Sequence, residues 1–168
     1  MNIIKKKISL ISVAIITFFL FITEILAKDT KFIYSQENIS NYFSGVVSLD
    51  QNLNSTSFNY LKKVQSISNT HQNFNVKFIR LLVILEKFDQ AFNFSKNIWK
   101  SEELFFEADL LLGLDYFLKK DYLNAELHFK RLNEISIYNI YFSNFVGNVM
   151  MSWNAASQND DKKSFEYL

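Results

Sequence analysis

The chain has 168 residues, a formal charge of +1, 49% hydrophobic and 21% charged residues, which allows one domain with a substantial core. It contains no cysteine, which excludes disulfides, thiol catalysis, thiolate metal sites and a lipid-modified N-terminal cysteine. Its near-neutral charge lacks the basic footprint that nucleic-acid binding needs.

The first segment differs from the rest. Lys5, Lys6 and Lys7 precede an uncharged apolar run from Ile8 to Thr23, followed by Ile25, Leu26 and Ala27. That order of basic, apolar and small-residue regions reads as a secretory signal peptide over residues 1–27, cleaved after Ala27. The expected location is outside the cytoplasm, in the periplasm. Left uncleaved, the same run is an inner-membrane anchor, with the lysines cytoplasmic and the body outside. Loss of residues 1–27 removes three lysines and Glu24, taking the formal charge from +1 to −1.

Residues 28–37 are short and polar and read as a linker. Beyond them nearly everything carries helical periodicity, so the predicted fold class is all-α. Phe74 to Glu86 is apolar and helical, Lys87 breaks it, and Phe88, Ala91, Phe94 and Ile98 continue on a second helix. Ser101, Glu102 and Glu103 read as a helix start, a cap residue followed by acids in the first turn. Leu104, Ala108, Leu111, Leu112 and Tyr116 follow on one face. After a break at Lys119–Lys120–Asp121, Tyr122, Ala125, Phe129 and Leu132 mark the partner helix. Such short breaks predict antiparallel hairpins.

The hairpins align at a constant offset. Phe88 matches Tyr122, Ala91 matches Ala125 and Ile98 matches Leu132, each 34 residues apart. An earlier copy places Ser57 before Ala91 and Val64 before Ile98 by the same step, with Gly45 two steps before Gly113. The units are then 38–71, 72–105, 106–139 and a partial 140–168. In the last, Phe142, Phe145, Val146, Val149, Met150 and Trp153 suggest a first helix containing Gly147. Asn159–Asp160–Asp161 is its turn, and Ser164, Phe165 and Leu168 open a second helix.

A 34-residue period of helix–turn–helix units resembles the tetratricopeptide repeat (TPR) family. Leu112, Gly113 and Tyr116 match its first-helix Leu-Gly-x-x-Tyr, and Ala125 and Phe129 match its second-helix positions. The resemblance implies a right-handed α-solenoid of antiparallel hairpins. It also explains a glycine inside a helical pattern, where glycine costs about 1 kcal/mol relative to alanine. Gly113 and Gly45 would stand where paired helices approach closely, Ala125 lets the partner helix come near for the same reason, and Ala91 holds the same register position in the second unit. There are departures. Ile79 stands at the glycine position of the second unit and Ser95 at its aromatic position. The first unit has Ser44 and Ser48 for Leu and Tyr, and the closing proline is absent. The array stops partway through a hairpin, so the chain is expected to be an N-terminal piece of a longer exported repeat protein. Its incomplete C-terminal edge could self-associate.

Catalytic groups are scarce. His71 falls in the loop between the first two units, and His128 on a second-helix position expected to face solvent. Glu102, Glu103, Glu107 and Asp109 cluster, but a helix N-terminus explains the first two more simply than a cation site does. No GxGxxG, P-loop, HExxH or nucleophile elbow is present. The expectation is no enzyme, no cofactor and no metal. The resemblance implies a concave groove for a peptide or helix of a protein partner. It would be lined by Tyr42, Val46 and Leu49, by Asn73, Val76, Arg80 and Val83, and by Glu107, Leu110, Leu114 and Phe117. Apolar contacts dominate this set, with Arg80 and Asn73 as orienting groups. A non-catalytic scaffold is the main expectation. The alternative is the docking region of a larger exported enzyme, or a membrane-tethered assembly factor.

Overall fold

The computed structural model describes residues 34–135 and 145–168, and the signal or anchor expected at 1–27 lies outside them. Among the described residues there are eight α-helices, one 3₁₀ helix and no strands. They are α1 Gln36–Asp50, α2 Asn54–Leu61 continued by the 3₁₀ turn Lys62–Ile67, α3 Gln72–Ile84, α4 Phe88–Ile98, α5 Phe106–Leu118, α6 Tyr122–Glu134, α7 Phe145–Ala156 and α8 Asp161–Glu166. Each packs chiefly against its neighbour in the chain, and α3 also touches α5. Helices joined by so short a turn and packed together must run antiparallel.

Local chemistry starts and stops them. The Ser35 hydroxyl accepts from the Asn38 N–H at 3.1 Å and caps α1. Asp121 and Asp160 cap α6 and α8 in the same way. His71 is no free loop residue: its Nδ1 accepts from the Phe74 N–H and caps α3. The stops recur with the sequence period. Asn52, Glu86 and Lys120 have φ of 59°, 55° and 61° and end α1, α3 and α5 at intervals of 34 residues. Each is followed by a residue whose N–H reaches back five positions: Leu53 to Ser48, Lys87 to Leu82 and Asp121 to Tyr116, at 2.8–2.9 Å. Asn159 does the same after α7. This is the left-handed C-cap, in which orphan carbonyls are satisfied and the chain turns back at once.

Two boundaries differ from expectation. Ser35 caps a helix already begun at Gln36, so the supposed linker ends earlier. Ser101–Glu103 is a turn, and α5 starts only at Phe106. Arg131 takes the carbonyl oxygens of Lys100, Ser101 and Glu103, which a helix through this segment would need for itself. Of the fourth unit, α7, its turn and α8 are described, while 136–144, including Tyr138 and Phe142, lie outside the described residues.

The core runs along the helix pairs. Phe74, Phe78 and Phe94 form a contiguous stack, with centroids 5.4 Å apart for Phe74–Phe78 and 4.9 Å for the edge-on Phe78–Phe94 pair. Leu61, Val64, Leu81 and Leu82 close around them. Farther along, Ala125, Phe129, Leu132 and Met151 form a second cluster. Each fully buried phenylalanine or leucine contributes about 2–3 kcal/mol.

Within a pair, size is matched across the seam. A Cβ at Gly113 would collide with the Phe129 ring, and one at Gly45 would stand 2.5 Å from Leu61 Cδ2. Both glycines have ordinary helical φ, so close approach and not backbone freedom explains them. Phe129 is the 34-residue counterpart of Ser95, and Leu61 of Ser95 in the other direction. In the middle pair the bulk has changed sides: Ile79 occupies the glycine register and Ser95 the large-residue register, and both are buried. Ser57, Ala91 and Ala125 are each 0% exposed at one register position, so the helices can be close there as well.

The left-handed caps give a direct prediction. Asn tolerates this conformation, whereas Glu86 and Lys120 carry a Cβ penalty that glycine lacks. Glu86→Gly and Lys120→Gly should each raise the unfolding free energy by about 1 kcal/mol in urea titrations, where a surface glycine elsewhere would lower it.

Candidate functional site

One concavity has a volume of about 790 Å³. Val83 and Ile84 from α3, Phe88 and Phe92 from α4, and Leu110, Leu114, Phe117 and Leu118 from α5 form most of its wall. Met150 and Trp153 of α7 complete it. Among the described residues its charged lining side chains are Arg80 and Glu107. Arg80 donates from both Nε and Nη2 to one Glu107 oxygen, at 3.2 and 2.7 Å. The Glu107 side chain is 9% exposed and that of Arg80 60%, so a nearly buried carboxylate is neutralised by a guanidinium at the rim. The pair ties α3 to α5.

The expected groove residues divide. Arg80, Val83, Glu107, Leu110, Leu114 and Phe117 meet at this cavity. Tyr42, Leu49 and Val76 pack instead against the phenylalanine core, Val46 is half-buried on α1, and Asn73 is exposed in the first turn of α3. None of these five lines it. Arg80, assigned to orient a partner, already spends two donors on Glu107. Sequence reasoning missed Ile84, Phe88, Leu118 and Trp153. Ile84 and Leu118 carry a usable signal, since they are the last residues of α3 and α5, one period apart. Leu118 is 70% exposed and Trp153 57%, so much of the wall is uncovered apolar surface.

A second cluster overturns the expectation for His128. It is buried, and its Nδ1–H donates to Asp109 Oδ1 at 2.9 Å. Trp99 Nε1 and Arg131 Nε donate to that same oxygen at 2.9 and 2.8 Å. The Phe105 N–H approaches Oδ2 at 3.4 Å. The Arg131 guanidinium lies 5.1 Å from the Trp99 ring centre, and His128 stacks on Tyr116 at 5.6 Å. Burial raises the Asp109 pKa, but the donors His128, Arg131 and Trp99 and the Arg131 charge outweigh it, leaving the carboxyl below its ordinary value. This assembly fastens the segment 99–105 to α5 and α6. The Asp109 carboxylate at its centre is 0% exposed and accepts from three side-chain donors, an arrangement that holds elements together.

Glu102 and Glu103 lie in the turn, outside any helix, and Glu103 pairs with Lys100 at 2.7 Å. Among the described residues no group of three or more His, Asp or Glu side chains is placed to hold a metal ion. Also among them, no helix is long and apolar enough to cross a membrane. Comparison with protein-family profiles, with curated proteins and with solved structures finds no match.

The Asp109 cluster makes stability depend on acid. A carboxyl whose folded pKa lies below its unfolded one contributes stability that is present above the unfolded pKa and lost as pH falls through the folded one. Stability should therefore drop below about pH 4, the ordinary aspartate range. Asp109→Asn should cost about 3 kcal/mol at pH 7, because Arg131 loses its counter-charge, and should flatten that acid limb. Urea midpoints from pH 7 to pH 3 measure both.

Proposed function

We propose that the chain is an exported, TPR-type right-handed α-solenoid and acts as a non-catalytic scaffold that holds an apolar peptide segment of a protein partner. The observation that carries the reading is the 790 Å³ apolar groove, whose walls come from α3, α5 and α7 with the start of α4. The 34-residue recurrence of left-handed caps and the seam glycines supports the repeat assignment. Affinity would come from burying Val83, Leu114, Leu118 and Trp153 against the ligand's apolar side chains, at about 25 cal/mol per Å² before ordering costs. The Arg80–Glu107 pair would set orientation at the rim, because Arg80 keeps donors beyond those used on Glu107.

A photo-crosslinking residue placed at Val83 in living cells tests this. It should give a discrete protein adduct that one placed at Lys62 does not. Leu118→Asp changes a 70% exposed residue, so it should leave the helical circular-dichroism signal intact while removing the adduct. Equal labelling from both positions, or an adduct indifferent to Leu118→Asp, would refute the groove as the binding surface.

A further inference from the structure

The wall of the apolar groove is closed to hydrogen bonding. Among the described residues, the nitrogen and oxygen atoms on its lining side chains belong to Arg80, Glu107 and the indole of Trp153. Arg80 and Glu107 already pair with each other. The backbone is closed as well. The lining residues lie within helices, and the left-handed turns take the carbonyls that the ends of α3 and α5 would leave open. Those of Leu81, Leu82 and Val83 accept from residues 85–87, and those of Asp115, Tyr116 and Phe117 from residues 119–121. Such a wall offers apolar contact and almost nothing for a ligand's backbone. An extended peptide pressed against it would bury N–H and C=O groups without partners, and each such group costs affinity. A helix brings its backbone already bonded.

We propose that the groove receives its partner's segment as an amphipathic α-helix, with an acidic side chain set against Arg80. This rests on the groove being the binding surface. Its lining on α5 runs from Glu107 to Leu118, about 16 Å at roughly 1.5 Å per residue, the length of about three helical turns. Aliphatic side chains at helical spacing would cover Leu114 and Leu118 on one side and Val83 on the other. Charge sets the direction. The Arg80 guanidinium uses Nε and Nη2 on Glu107, and Nη1 lies outside that pair. The Arg80 side chain is 60% exposed, so it can meet an acid without giving up Glu107. At the end marked by Ile84 and Leu118 the exposed flanking charges are of both signs, Glu86 and Asp89 with Lys119 and Lys120. That end gives no preference, so the acid belongs at the Arg80 end. An isolated helix of so few turns is marginal in water, so the segment would fold as it docks.

The test uses synthetic peptides of about four helical turns, long enough to overlap the groove at both ends. The first carries leucines at helical spacing and glutamates on its polar flank. The second replaces those glutamates with lysines. The third keeps the composition of the first, with its leucines alternating. Dodecanoate, an acyl chain with no peptide backbone, is the last probe. Trp153 reports occupancy, because it is 57% exposed and its emission should move to the blue when covered. Trp153→Phe should erase that signal. The first peptide should bind about tenfold more tightly than the alternating one and gain helical circular dichroism on mixing. The lysine form should bind about threefold more weakly than the glutamate form. An alternating peptide that binds at least as tightly, or a bound first peptide that gains no helix, would overturn the inference and leave the groove reading standing. Equal binding of the glutamate and lysine forms would overturn the contact with Arg80. No Trp153 response to any of the peptides, whether or not dodecanoate gives one, would overturn the inference and the groove reading together.

Discussion

The helix pairs depend on one steric agreement: where two helices meet, a large side chain on one requires a small one on the other. Gly113 faces Phe129 and Gly45 faces Leu61, closely enough that a single Cβ would collide. A close-packed interior has no slack to absorb such a change, so bulk added on one side must be removed on the other. The middle pair is the informative case. Ile79 and Ser95 look like two separate failures of a repeat pattern until their registers are compared. Then they are one exchange, with the volume moved from the second helix to the first. The exchange has a cost, since the Ser95 hydroxyl is buried with no hydrogen-bond partner.

Close pairs joined by tight left-handed turns place α3, α5 and α7 so that their side chains share one concavity. The turn geometry matters here. Three caps spaced by 34 residues give the helix pairs matching ends, so Ile84 and Leu118 arrive at corresponding places on the rim. The buried Asp109 cluster has a different task. It fixes the long segment between α4 and α5, which has no helical bonds of its own, by giving its carbonyls to Arg131.

Much of the helix pattern was legible in the sequence, because apolar spacing and polar breaks are local signals. The breaks at Lys87 and at 119–121 mark true turns. The packing reason for Gly113 was legible too, as a close approach of paired helices implied by the resemblance, whereas the Phe129 ring it meets is visible only in the structure. What failed had tertiary causes. Ser101–Glu103 has the composition of a helix start, but Arg131, 28 to 31 residues away, competes for its carbonyls. His128 lies on the outward side of an isolated helix, and only Asp109, Trp99 and Tyr116 from other elements bury it. Glu86 and Lys120 could not be read as left-handed from residue type, since neither is Gly or Asn. The groove was half legible. Arg80 and Val83 on α3 and the four residues on α5 follow from register, but Tyr42 and Leu49 on α1 and Val76 on α3 turn to the core, and Asn73 is exposed.

The most direct test of the central claim is a double-mutant cycle at the third seam, made with the residues that the second seam uses. Gly113→Ile, Phe129→Ser and the pair are compared by urea unfolding. The account predicts that each single change is strongly destabilising, the first by overpacking and the second by leaving a cavity, each by about 2 kcal/mol or more. It also predicts that the double variant recovers at least about 2 kcal/mol relative to their sum. Strictly additive losses would mean that the two positions do not share one volume, and would contradict the account.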